Sequence, residues 1–202
     1  MKKIYLIMTL VCMTLMSFKP DGGVGEHQGH EYVDLGLSVK WATCNVGASS
    51  PEEYGDYFAW GEISTKARYE EYNCKTYCKP ISEMSGNAQY DVAKAKWGGD
   101  WRMPTEEEMG ELLNECVWTW ELKEGVKGYK VTGPNGNSIF LPAAGNRNGV
   151  SLGNAGFSGN YWSSTHGEYD NYDACYLYFV SGVHYKSYNL RDNGQSVRPV
   201  VK

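Results

Sequence analysis

Tyr169, Tyr172, Tyr176, Tyr178, Tyr185 and Tyr188 all fall in one stretch of the chain, Asn154 to Val200, which is otherwise crowded with Asn, Asp, Ser and Gly. A phenol ring gives a large contact area at low entropic cost, and small polar neighbours adapt their hydrogen bonds to a partner. The chemistry these residue types can do together is recognition. Antiparallel strands also favour Tyr for packing, so some of the rings belong to the frame. Other chemistries find less support. Glu106, Glu107 and Glu108 follow Thr105, and that order makes them the capped first turn of a helix, where carboxylates complement the dipole. His166 and His184 are too few for an iron cluster and lack a carboxylate motif. Cys74 and Cys78 have no second Cys/His pair at zinc spacing, and His27 and His30 have no companion ligand. Glu168, Asp170, Asn171 and Asp173 offer hard oxygens without calcium-loop spacing, so they read as a solvated acidic loop. No Ser-His-Asp order and no phosphate loop stands out. The sequence therefore leads us to expect no catalysis, no metal and no cofactor.

The rings need a frame that sets them on one surface. Ala174 to Val180 has a period of two: Cys175, Leu177 and Phe179 alternate with Tyr176, Tyr178 and Val180, which places the two sets on opposite faces of a strand. The Cys175 set is assigned to the core and the Tyr176 set to the outer face. Ser181-Gly182 reads as a turn, Val183 to Lys186 as the returning strand, and Gln195 to Val201 as a closing strand. Tyr161-Trp162-Ser163 is a further strand, with Trp162 in the core. Strands at 129–132 and 138–142 flank Asn135-Gly136, a strong hairpin turn. Val117 to Leu122 alternates as a strand, and Ala143 to Gly159 reads as a Gly/Asn-rich loop. Thr105 and Glu108 form a capping box, and Met109, Leu112, Leu113 and Cys116 fall at helical spacing, so this helix lays one face on a sheet. Asp91 to Lys96 predicts a short helix. Tyr32 to Ala42 reads as strand, turn at Gly36 and strand, and Tyr54 to Gly61 as strand and turn. Glu62 to Gln89 has no period and reads as a long irregular excursion. The fold class is α+β, mostly antiparallel.

The chain has 202 residues and a formal charge of −5, consistent with one main domain. A nucleic-acid binder would carry a basic patch, and no Lys/Arg cluster follows Lys2-Lys3, so nucleic acid is excluded as a partner. Lys2, Lys3 and the apolar run Ile4 to Met16 read as a secretory signal, placed at residues 1–17. The run is shorter than a membrane span needs, so no span is expected once the signal is removed. Residues 18–30 read as a flexible linker and 31–202 as the folded domain. The expected destination is outside the cell or on its surface, where disulfides persist. Cys44 and Cys116, beside Trp41 and Trp118, are expected to bridge.

Four motifs in fixed order carry a resemblance: residues 97–105 (Trp97-Gly98-Gly99-Asp100-Trp101-Arg102-Met103-Pro104-Thr105), 140–145 (Phe140-Leu141-Pro142-Ala143-Ala144-Gly145), 161–164 (Tyr161-Trp162-Ser163-Ser164) and 196–200 (Ser196-Val197-Arg198-Pro199-Val200). Together they resemble the Fibrobacter succinogenes major paralogous domain family, common in exported proteins of Bacteroidetes, over about residues 31–201. The resemblance implies a C-type lectin-like fold: two helices beside a twisted, mostly antiparallel sheet, with N- and C-terminal strands brought together and long irregular loops. Formylglycine-generating enzymes share that fold more distantly. Their activity needs a pair of reactive cysteines near the C-terminal end, where this chain has only Cys175. The chain is also similar to the variable proteins of diversity-generating retroelements, which hold a lectin-like scaffold fixed and vary residues between the Trp-Ser-Ser and Arg-Pro-Val motifs. Carried across by motif, the display positions are Tyr169, Asp170, Tyr172, Asp173, Tyr176, Tyr178, His184, Tyr188, Asn189, Asp192 and Asn193. The resemblance thus implies an exported, non-catalytic module that offers this surface to a protein or glycan partner. A formylglycine-generating-like enzyme and a structural, fimbria-associated subunit are the alternatives. One fold hosts many functions, so the site has to decide.

Overall fold

The computed structural model describes residues 23–81, 84–168 and 171–202. The expected signal, the first part of the expected linker, and Tyr169 and Asp170 lie outside the described residues. The elements in chain order are β1 (Val24–His27), β2 (His30–Val33), β3 (Lys40–Ala42), α1 (Val92–Trp97), α2 (Glu106–Glu115), β4 (Val117–Lys123), β5 (Val126–Thr132), β6 (Ser138–Pro142), β7 (Asn146–Asn148), β8 (Ser151–Gly153), β9 (Ser158–His166), β10 (Asp173–Val180), β11 (Val183–Leu190) and β12 (Val200–Val201). The architecture is mostly antiparallel sheets with two α-helices, α+β in class. The sheets run β1-β2-β3-β12, β11-β10-β9, β4-β5-β6 and the small pair β7-β8.

Local chemistry sets the helices. Thr105 Oγ1 accepts the Glu108 N–H at 3.3 Å, and Glu108 Oε2 accepts the Thr105 N–H at 2.9 Å, which closes the capping box and starts α2. Arg102 forks onto the same carboxylate at 2.5 and 2.7 Å. Asp91 caps α1 by accepting the N–H groups of Ala93 and Lys94, and its other oxygen accepts those of Gly86 and Met103. One buried carboxylate thus ties α1 to the chain before and after it. The β5–β6 hairpin turns at Asn135-Gly136, with Gly136 at φ +88°, a left-handed value that a side chain would resist.

Two cores meet at β9. The first is formed by α2, β5, β6 and one face of β9–β10, with Met109, Leu112, Tyr129, Val131, Tyr161, Leu177 and Phe179 among its members. The second lies on the other face, under the irregular excursion, and holds Phe58, Trp60, Met84, Val92, Met103 and Trp162. Tyr161 and Trp162 are neighbours in sequence, on opposite faces of one strand, and both are at most 1% exposed. Residues 191–201 are buried without a break. They pass between the two halves of the molecule: the Trp60 N–H donates to Arg191 O at 2.8 Å, Phe58 bridges Gln195, the Val46 N–H donates to Val197 O at 3.0 Å, and Val200 pairs with Trp41. Arg198, 1% exposed, donates to Asn45 Oδ1 at 2.8 Å, Ala42 O at 3.0 Å, Phe140 O at 2.9 Å and Thr43 O. A buried charge is tolerated when its donors are satisfied in this way.

Several expectations change. Residues 24–27 are not linker but β1, held because His27 Nε2 accepts the Asp100 N–H and the His30 ring stacks on Trp97 at 3.8 Å. Tyr54 to Gly61 keeps the expected turn, at Trp60-Gly61, but forms no strand. It meets the closing segment at the Phe58–Gln195 bridge and through the Trp60 N–H to Arg191 O bond without forming a ladder, because Trp60 and Tyr57 turn into separate cores. The loop between Ala143 and Gly159 contains the β7–β8 hairpin. Only Val200–Val201 of the expected closing strand is regular. Cys44 and Cys116 are free thiols: Cys44 lines a cavity beside His30 and Trp97, whereas Cys116 packs against the first core at the end of α2.

Candidate functional site

The sheet β9–β10–β11 changes character from one side to the other. β9 is buried on both faces over most of its length, β10 alternates, and β11 is largely exposed. Ser181-Gly182 makes a two-residue turn, with Gly182 at φ +85°, so Val180 faces Val183 and the register of the hairpin is fixed. Tyr178 then sits directly opposite Tyr185 on one side and Asn160 on the other, and Tyr176 opposite Ser187 and Trp162. Directly opposed residues share a face. The result is a continuous run of rings. Trp162 meets Tyr176 edge-on at 6.0 Å, Tyr176 meets Tyr178 at 6.3 Å, and Tyr178 meets Tyr185 at 5.2 Å. Trp162 is fully buried and donates its Nε1–H to Phe58 O at 2.9 Å, while Tyr185 is 46% exposed. The run therefore starts in the second core and ends in solvent. Burial holds the Tyr176 phenol above its ordinary pKa. Tyr176 and Tyr178 are half-buried, and the alternation expected for β10 holds: Cys175, Leu177 and Phe179 are at most 1% exposed.

Phe179 needs its strand partner to be small. A Cβ on Gly159, across the ladder, would fall about 2 Å from the Phe179 ring. That close approach, with the ring wedged against Tyr161, Tyr129 and Trp118, anchors the β9–β10 pair to the first core.

The display positions do not form one surface. Tyr176, Tyr178 and Asn189 share the outer face. Asn189 turns its side-chain oxygen to the Leu190 N–H at 2.9 Å. Tyr188 and His184 lie on the opposite face, beside α2. The Tyr188 hydroxyl points at the Glu106 carboxylate at 3.4 Å, and partial burial, followed by that negative charge, pushes the phenol up to about 12. The His184 ring stacks on Trp118 at 4.6 Å, and burial pulls its pKa below the usual histidine value. Lys186, on the same face, pairs with Glu106 at 3.1 Å. Tyr172 is exposed and meets Tyr77 edge-on at 5.3 Å, away from the strip of rings on the strands. Asp173 is half-buried at the start of β10. Asp192 and Asn193, each 5% exposed, are not displayed at all. They belong to the buried closing segment, where Asn193 accepts from Asn148 at 3.3 Å and its own amide donates to Leu190 O at 3.3 Å. Burial, with Glu71 and Glu70 adding their charge, raises the Asp192 pKa.

Tyr185 is absent from the expected display set yet shares the outer face with Tyr176 and Tyr178. The signal was present: a two-residue turn at Ser181-Gly182 makes Tyr185 the partner of Tyr178 by counting alone. Val183, 46% exposed on the same face, follows by the same count.

The motif residues play a different part from the tyrosines. Trp101, Met103, Trp162, Ser163, Val197 and Arg198 are buried and hydrogen-bonded within the frame, for example Ser163 Oγ to Cys175 O at 2.9 Å and Trp101 Nε1 to His27 O at 2.8 Å. They form the buried frame, and the exposed residues of the hairpin's outer face are not among them. Among the described residues no group of three or more His, Cys, Asp or Glu is placed to hold a metal. No family model, curated protein or solved structure matches the chain.

Proposed function

We propose that this chain is an exported, non-catalytic binding module of the C-type lectin-like kind, presenting the outer face of the β10–β11 hairpin to a protein or glycan partner at the cell surface. The observation that carries the reading is the run of rings from buried Trp162 through Tyr176 and Tyr178 to half-exposed Tyr185. Rings rooted in a core are rigid, and rigid aromatic anchors lose little entropy on binding. The burial of the motif residues supports the same reading, since it separates a fixed scaffold from a surface that can change. The antiparallel sheets, the two helices and the β3–β12 pairing are in keeping with the lectin-like fold.

The test is a glycan and protein array probed with the wild type and with Tyr178→Ala and Tyr185→Ala. The proposal expects a ligand whose affinity falls about 30-fold or more, roughly 2 kcal/mol, in either variant while the melting temperature moves by no more than about 4 °C. Binding that survives both substitutions overturns it. A second reading, a structural subunit, draws on one observation: β11 is an edge strand of eight residues with no strand on its far side among the described residues. Concentration-dependent self-association in sedimentation favours that reading, and a monomer at all concentrations removes it.

A further inference from the structure

A cavity of about 360 Å³ opens in the irregular excursion, apart from the strip of rings on the β10–β11 face. Its apolar walls come from Ile63, Pro80 and Ile81, and Tyr90, Gln89 and two lysines, Lys75 and Lys79, complete it. The volume falls in the range of small-molecule sites, which combine apolar walls with a few placed polar groups. Charge selects the ligand. Glu62 is the one carboxylate among the described lining residues, and its Oε1 accepts from Lys66 Nζ at 2.9 Å and from the Lys75 N–H at 2.7 Å. The Lys75 and Lys79 ammonium groups make no ion pair among the described residues. Two lysines without an ion pair among the described residues thus line one cavity of a chain whose net charge is −5, and they can offer it positive charge.

The walls are fixed before any ligand arrives. Arg191 is fully buried, lies over the Trp60 ring at 4.3 Å, and donates from Nη1 to Thr76 O at 3.2 Å and Lys79 O at 2.8 Å. Thr76 Oγ1 donates to Trp60 O. The backbone that carries both lysines is thus tied to the buried closing segment at two points, and a preorganised site loses less on binding.

We infer that this cavity binds a small organic carboxylate of single-ring size, its acid between Lys75 and Lys79 and its ring against Ile81 and Pro80. Such a ring can be a sugar or an aromatic, and the experiment separates them. Ligand-observed NMR titrations use glucuronate against glucose, and benzoate against benzyl alcohol, with the wild type and with Lys75→Met and Lys79→Met. Both lysines are exposed, so the single variants are expected to keep the wild-type melting temperature, and Lys→Gln replacements serve if one does not. At least one acid should bind about tenfold or more tightly than its neutral counterpart, weaken about tenfold in each lysine variant, and weaken further as salt rises. Tyr178→Ala should leave this binding unchanged, whatever becomes of the hairpin face. Equal binding of acid and neutral counterpart, full binding in both lysine variants, or no binding of either acid at about 10 mM, well above ordinary ligand concentrations, overturns the inference.

Discussion

Asn189 and Asn193 are four residues apart and meet opposite fates. Asn189 stands on the half-open face of β11, while Asn193 is 5% exposed inside the closing segment. Both regions carry polar residues, Ser187 and Asn189 in β11 and Asp192, Asn193, Gln195 and Ser196 in the closing segment, so polarity alone does not tell them apart. What separates them is their partners. β11 pairs with its neighbour across a two-residue turn, and no strand among the described residues pairs with its other edge. The closing segment bonds on both sides to Trp41, Val46, Phe58, Arg102, Arg147 and Tyr161, all far away in sequence. A polar residue becomes scaffold when distant backbone groups need it, and display when only a local hairpin holds it.

The contrast is broken most severely at Arg198. Arg198→Ala removes the donor from four acceptors, Asn45 Oδ1, Ala42 O, Thr43 O and Phe140 O. Each acceptor left unsatisfied in the interior costs about 1–3 kcal/mol, a sum comparable with the ~5–15 kcal/mol margin of a whole domain. Circular dichroism should show little or no folded protein at 25 °C. Next is Phe179→Ala, expected to cost about 3–5 kcal/mol and to lower the melting temperature sharply, because the ring fills the space beside Gly159, Tyr161 and Tyr129. Asp192→Asn sharpens the comparison through its sign. The Asp192 pKa is raised by burial, so the folded state binds the proton more tightly than the unfolded chain, and the charged form costs stability above the folded pKa. The substitution should therefore raise the melting temperature at neutral pH, and the gain should shrink as pH falls through that pKa. A displayed Asp192 would give no change at any pH. The smallest effect belongs to the surface: Tyr178→Ala and Tyr185→Ala should each change stability by about 0.5–1 kcal/mol, mostly lost cross-strand pairing. If thermal melts put either near the Phe179 value, the two faces of the hairpin are not different in kind.

What could be read from the chain beforehand was what depends on near neighbours. The Thr105–Glu108 capping box, the Asn135-Gly136 turn and the alternation of Cys175, Leu177 and Phe179 each need only a few adjacent residues, and each stands in the structure. The burial of Asp192 and Asn193 was illegible because the segments that cover them, around Trp60 and Arg147, lie more than forty residues away with no local period to announce them. The first strand was missed for the same reason: Gly-rich 23–29 looks solvated until Asp100 and Trp101 arrive to bond His27. Among its described residues the excursion from Glu62 to Gln89 has no regular element beyond one 3-10 turn at Glu71–Asn73, so its irregular reading stands, but the cavity within it depends on Arg191. Tyr185 was within reach by counting across the Ser181-Gly182 turn.

The buried run 191–201 also sets an order in time. Every partner named for it precedes it in the chain, and a growing chain emerges from its N-terminal end. Until these residues are made, the N–H groups of Val46, Phe58 and Trp60 lack the acceptors they have in the fold, and the Trp162 N–H lacks Ser196 O. A nascent chain that ends at Leu190 is therefore held short of its native state, with contacts distant in sequence still to be closed, and such contacts close slowly. The fold stays unlocked until residues 191–201 have been added and the segment threads between the two cores.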